Sequence, residues 1–304
     1  MRRAVFLCKT DPTRQDGLRI LDPMGRIPLL LGALLILSGP ATAGLMDLLE
    51  SIEAPEIETE GPLLPPLPAE PGRGKNWVGT QTHNSDLPIL VLAGHADSQK
   101  IAGSGTPGKA VDVGGAAPMQ KGITDELYWN LLTAKQIVAE GRRQGLNMRF
   151  YDPGVRTIRN VEDPRTNWST GARHAKEGGY ALEIHYDAYA PHGIGPGIIP
   201  SVLYGFSVLD EALAEEFGGY PYDYRGMLGA PRKGISMLEI GQLEGVLEAG
   251  LRDSSQRQAT LDRIAKRVVK ALRRGLANSS MGGTVLLKGR IGEPVLGSGE
   301  EVRQ

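Results

Sequence analysis

Residues 90–97 read Leu90-Val91-Leu92-Ala93-Gly94-His95-Ala96-Asp97. Four apolar residues run into a glycine, and a histidine follows. An apolar run bounded by turn residues fits a strand buried on both faces, and also a short buried helix. As a strand it places His95 where the strand gives way to a loop. Open α/β sheets put their ligands there. The reading of the chain turns on whether other segments bring partners to His95.

Downstream the pattern alternates. Thr124 caps a helix with Asp125 and Glu126 in its positive first turn and Gly145 at its end. Leu127, Leu131, Ala134 and Val138 recur at helical spacing and form its buried stripe. Met148 to Tyr151 reads as a short strand. A helix starting at Asn167 or Ser169 carries Arg173 and His174 and stops at Gly178-Gly179. Tyr180 to His185 is another strand, again ending in histidine. Ile198 to Tyr204 reads as a strand, Val208 to Phe217 as a helix and Ile235 to Gly241 as a strand. Ser255 to Leu276 closes the series, with Leu261, Ile264, Val268 and Leu272 on one face. Strands alternating with helices predict an α/β fold: a single domain with a mostly parallel central sheet and helices on both faces. Residues 98–123 are rich in glycine and predict a long loop, functional or mobile.

The chain has 304 residues, and its apolar (40%) and charged (23%) fractions are ordinary for a globular protein. A net charge of -1 points to no nucleic-acid partner. Cys8 is the one cysteine, which excludes an intramolecular disulfide framework and a multi-cysteine metal site. Arg26, the apolar run from Ile27 to Leu37, and Ala41-Thr42-Ala43 together predict a signal peptide over residues 1–43. Met24 is an alternative start. The run is shorter than the roughly 20 apolar residues of a membrane span, so no stable span is expected; an uncleaved anchor is the alternative. This places the protein across the inner membrane, in the periplasm or at the cell wall. Residues 44–76 are acidic and then proline-rich, as in a semi-extended linker. A domain over 77–277 and a flexible tail over 278–304 complete the expected organisation.

Four residues stand out near element ends or in an apolar strand: His95, Glu126, His185 and Glu239. Singly, each has a bland reading: a hydrogen-bonded turn histidine, a carboxylate complementing a helix dipole, an ion pair. Together, two histidines and a carboxylate are a ligand set for Zn2+ that leaves a fourth position open, as in catalytic sites. Zinc polarises carbonyls and lowers the pKa of water. A separate carboxylate then has to carry the proton to a leaving nitrogen. Glu239 suits that role, because a charge among Ile, Met and Leu is costly without a partner.

The order of these segments resembles the zinc-dependent N-acetylmuramoyl-L-alanine amidases of the amidase 3 family. Leu92-Ala93-Gly94-His95 resembles that family's first ligand strand. Gly115-Ala116, Glu126 and Asn130 resemble its Gly-Ala loop and glutamate-bearing helix. Arg173 to His185 resembles its arginine helix, turn, strand and second histidine. Arg225-Gly226 and Leu238-Glu239-Ile240-Gly241 resemble the segment leading to its catalytic glutamate. The resemblance covers about residues 88–276. It implies His95, Glu126 and His185 as zinc ligands and Glu239 as the catalytic acid/base. It also implies peptidoglycan as the partner, with hydrolysis of the amide between N-acetylmuramic acid and L-alanine.

The chain departs from that pattern at Ala96-Asp97, Glu183, Tyr186-Asp187 and Gln242, and residues 98–123 resemble an insertion. Asp97, Asp187, Arg173 and Arg225 are candidates for contacting substrate or supporting the ligands. His174 reads as a surface histidine. Two rivals stay open: another zinc peptidase of carboxypeptidase-like type, and a non-catalytic cell-wall-binding module. No activator protein can be read from the chain.

Overall fold

Residues 89–93 form a strand, β1 (Ile89–Ala93), and all five are buried. A strand buried on both faces belongs inside a parallel sheet. The computed structural model describes residues 74–288, with side chains to Ser279. The expected signal peptide, the linker up to Arg73 and the end of the tail lie outside the described residues.

After β1 come α1 (Lys109–Asp112), α2 (Asp125–Arg143), β2 (Met148–Tyr151), α3 (Asn167–Lys176), β3 (Tyr180–Asp187) and β4 (Gly197–Ile199). Then follow α4 (Val208–Phe217), α5 (Gly229–Arg232), β5 (Ile235–Gln242), α6 (Gly245–Arg252) and α7 (Arg257–Lys288). The five strands form one sheet in the order β2-β1-β3-β5-β4. Four run parallel, and β4 pairs antiparallel with β5 at one edge. The chain steps from β1 outward to β2, then returns across β1 to place β3 on its other side. The reversal lies between β1 and β3, where such sheets open a crevice at the strands' C-terminal ends.

Alternation along the strands builds two cores. Ile89, Val91, Leu182, Ile184, Leu238 and Ile240 pack with residues of α2, α4 and α7 on one face. Leu90, Leu92, Ala181, Ile235 and Met237 line the other, with Trp168 of α3 and Tyr220 packed on them. Gly171 allows α3 to lie close to the sheet: a Cβ there would sit 2.5 Å from Ile235 Cδ1 and 3.0 Å from Leu92 Cδ1.

The structure departs from the sequence reading in four places. The strand expected over 198–204 is three residues long, because the chain turns away after Ile199. Three short helices, α1, α5 and α6, were not anticipated; α1 and α5 are single turns and α6 only eight residues, too brief for a helical period to stand out. The last helix continues through Gly282 and Gly283 to Lys288. His174 is buried rather than exposed: its Nε2 lies 3.0 Å from the Pro88 carbonyl and its Nδ1 3.2 Å from Arg149 Nη2.

Among the described residues no helix is long and apolar enough to cross a membrane. Gly171→Val is expected to lower the unfolding free energy by roughly 1–3 kcal/mol through overpacking. Urea unfolding followed by circular dichroism checks this; an unchanged midpoint would mean that α3 shifts to accommodate the methyls.

Candidate metal centre

The end of β1 is clamped from both faces of the sheet. Asn167, the first residue of α3, donates its side-chain Nδ2 to the Ala93 carbonyl at 2.6 Å. Asn130 of α2 donates Nδ2 to the Gly94 carbonyl at 3.0 Å. His95 then leaves the strand in a left-handed conformation with φ 63°. That conformation costs a non-glycine residue on the order of 1–2 kcal/mol. It is held by the Gln99 side chain, whose Nε2 donates to the His95 carbonyl at 3.2 Å.

The imidazole of His185 lies against Gly94, and a Cβ at 94 would sit only 2.3 Å from its Cε1. The two histidine rings meet edge to face, with centroids 4.9 Å apart and planes at 87°. Glu126, in the first turn of α2, reaches between them. Its Oε1 lies 3.2 Å from His95 Nε2 and 3.2 Å from His185 Nδ1. Donor atoms of His95, Glu126 and His185 lie within 4.8 Å of one another. Ligands about 2.0–2.1 Å from a tetrahedral zinc ion sit about 3.3 Å apart, so the observed spacing fits that ion.

The atoms that face away from this point are also engaged. His95 Nδ1 lies 3.0 Å from Ser104 Oγ. His185 Nε2 lies 3.2 Å from Glu183 Oε1. Glu126 Oε2 accepts the Thr106 amide N–H at 2.8 Å. Partners of this kind fix the ring orientation and tautomer that a metal needs. Two of the three come from the loop 98–123. Its tight course follows from Gly105, where a Cβ would lie 2.8 Å from Thr124 Oγ1. The loop read from the sequence as functional or mobile is therefore packed onto the His95–Glu126–His185 cluster.

Charge follows from this geometry. Burial alone would raise the pKa of Glu126, but His95 and His185 outweigh it and hold the carboxyl far below its ordinary value. Burial would lower that of His185, but Glu126 and Glu183 outweigh it and raise the imidazole well above its usual 6.5. Glu239 is the register partner of His185 on the neighbouring strand. Its Oε2 is buried with no hydrogen-bond partner. Burial pushes its pKa up to about 8; Glu126 and Asp187 push the same way, against His185 and Arg225.

The remaining candidates separate. Asp97 faces the cleft, but its Oδ2 accepts the Asn167 amide N–H at 2.7 Å and so anchors α3. Its pKa is raised chiefly by burial, with Glu183 adding to the rise and the Asn167 amide opposing it. Asp187 is occupied in holding the loop after β3: its Oδ2 accepts the amides of Ile194 and Gly195 at 2.5 Å and 2.9 Å. Arg173 is exposed on α3 and, among the described residues, bonds to Thr170 of its own helix. Arg225 stacks over Tyr224, its guanidinium 5.1 Å from the ring centre, and acts on Glu239 through its charge. Ser104, Thr106 and Gln99 were missed by the sequence reading. Nothing in a glycine-rich loop marks which hydroxyl or amide turns inward.

No family model and no curated protein matches the chain. Solved structures do. One is the apo N-acetylmuramyl-L-alanine amidase Ami1 of Mycobacterium abscessus, at 15% identity and TM-score 0.43, covering 62% of this chain and 98% of that one. Another is the putative N-acetylmuramoyl-L-alanine amidase of Neisseria meningitidis, at 16% identity and TM-score 0.40, covering 62% and 96%. A third is the CwlD amidase of Clostridioides difficile, solved with the GerS lipoprotein, at 13% identity and TM-score 0.41, covering 62% and 98%.

Ser104→Ala is expected to weaken zinc affinity about 10–100-fold by freeing the His95 ring, as measured by competition with a chelator. In the ion-free protein the contribution of His185 to stability is present below its unfolded pKa near 6.5 and is lost as pH rises through the higher folded value. Zinc has to displace that proton, so its uptake is expected to release protons and to tighten with rising pH. A pH indicator in weakly buffered solution reads this directly, and uptake without proton release would contradict it.

Proposed function

We propose that this chain is a secreted zinc-dependent N-acetylmuramoyl-L-alanine amidase that acts on peptidoglycan outside the inner membrane. In this reading residues 1–43 are a signal peptide, 44–76 a spacer, and the catalytic domain begins near residue 77. The observation that carries the reading is the convergence of His95 Nε2, Glu126 Oε1 and His185 Nδ1. Glu239 lies opposite His185 with a free carboxyl oxygen. The order of motifs along the sequence, which resembles the amidase 3 family, supplies the substrate.

His95, Glu126 and His185 would hold the ion. When bound, zinc supplies Lewis acidity toward the amide carbonyl and toward water. The chain's own residues do the rest. Glu239 accepts a proton from the attacking water and returns it to the departing alanine nitrogen. Its high pKa without the ion marks a carboxyl able to hold that proton between the two transfers. Arg225 and Asp187 act on Glu239 in opposite directions and tune that capacity. Glu183 and Ser104 keep both imidazoles in the tautomer whose ligating nitrogen carries no proton.

Glu239→Gln is expected to lower hydrolysis of purified peptidoglycan by at least about 100-fold. Release of new L-alanine amino termini is the readout, and zinc content should stay at the wild-type level. Full activity in this variant would remove Glu239 from the reaction. Wild-type protein that binds zinc but releases no alanine termini would overturn the substrate.

A further inference from the structure

Away from the metal centre, the C-terminal end of α2 and the middle of α7 enclose a groove of about 560 Å³. Arg143, Lys266, Lys270, Arg273 and Arg274 line it, and Glu140 is the one carboxylate among the lining residues. Along α7, Lys266, Lys270 and Arg273 follow one another at steps of four and three, which puts them on one helix face. All three are exposed. The other face of α7, with Ile264, Val268 and Leu272, is buried in the core.

The charges in this groove do not cancel. Glu140 is spent on Arg143, at 2.7 Å, and on the Gln144 amide. Arg274 pairs with Glu215 at 3.0 Å. Arg273 donates to Gln144 Oε1 at 2.7 Å, a neutral partner. Lys266 acts on Glu140 through its charge. Lys266, Lys270 and Arg273 are left without a paired carboxylate among the described residues, and like charges held together favour an anionic partner. A site for one small oxyanion is built from arginine forks or backbone amides that fit it. Here the free cations sit on long, exposed side chains, and no aromatic ring lines the groove for a nucleic-acid base to stack on. Such a groove responds to charge density rather than to shape, and an anionic lipid surface supplies charge in that form.

We propose that the groove between α2 and α7 docks on an anionic phospholipid surface, with lipid phosphate oxygens accepting from Lys266, Lys270 and Arg273. This rests on the proposed function for the compartment, in which a membrane lies on one side of the protein and peptidoglycan on the other. Glu126 begins α2 and Arg143 ends it. At 1.5 Å per residue the helix separates the two by about 25 Å. Docking by the groove therefore holds the metal centre away from the lipid, on the side of the polymer.

Residue-resolved acetylation of the full-length protein tests this without hydrolysis. The protein is mixed with vesicles of phosphatidylcholine alone, or with phosphatidylglycerol at about three parts in ten, and treated with the uncharged reagent N-hydroxysuccinimidyl acetate. Mass spectrometry then gives the labelling rate of each lysine. Lys266 and Lys270 are expected to label at least about fivefold more slowly on the anionic vesicles. Lys100 and Lys121, exposed in the loop at the metal end, should be unchanged. Protection should vanish in about 0.5 M salt, where screening acts within roughly 4–5 Å. Lys266→Gln with Arg273→Gln, both at exposed positions, should raise the vesicle concentration that protects Lys270 roughly 30-fold. Equal labelling on the two kinds of vesicle, protection that survives salt, or an unchanged concentration in the double variant would overturn the proposal. Equal protection by inorganic phosphate at the same total phosphate would also overturn it, by making the groove a site for a free anion. Protein that is protected on anionic vesicles yet releases no alanine termini from peptidoglycan would sink the amidase reading and spare this one.

Discussion

A carboxylate buried between two imidazoles is the constraint on which the rest of this structure depends. Glu126 is 4% exposed and charged. An isolated charge at that depth is not tolerated in a protein interior. It is answered by His95 and His185 on one oxygen and by the Thr106 amide on the other. Each answer sets a demand elsewhere. His185 needs Gly94 beneath its ring. His95 needs a left-handed backbone at the end of β1. Thr106 needs the loop 98–123 to fold back over the first turn of α2.

Those demands explain why the fold is stiff at this edge. Two buried asparagines from helices on opposite faces fix the last carbonyls of β1. Asp97, two residues beyond, is tied to the start of α3. The position of His95 is thereby set by both layers of helices together. A site built this way holds its donors near the spacing that a tetrahedral ion requires, so little reorganisation would accompany the binding of one. Metal affinity and local stability are then one quantity seen from two sides.

Much of the fold could be read from local sequence, because its strands are fully buried and its longer helices amphipathic. β1 was an uninterrupted apolar run, and α2 carried a cap, an acidic first turn and a stripe. Reading failed where an element was short or where a side chain's partner was distant in sequence. The four residues of α5 span a single turn and show no period. His174 looked solvent-facing beside Arg173, yet it turns under the start of β1. Asp187 and Arg173 were candidates for contacting substrate or supporting the ligands. The first is consumed by the loop that follows it, and the second points away on α3.

By itself the sequence determined the alternation of strands and helices and the two strands that end in histidine. It also placed a carboxylate in the positive first turn of a helix, with another set among apolar strand residues. These are properties of neighbours along the chain, set by periodicity, capping and turn chemistry. Only the tertiary structure decided which nitrogen of each histidine faces Glu126 and that Ser104 and Thr106 complete the centre. It also decided that Glu183 has one oxygen on His185 and the other buried without a partner. The physical reason is that each depends on an approach of a few ångströms between segments nine to sixty residues apart. Parallel strand order and glycine-permitted close packing create those approaches, and no local pattern records them.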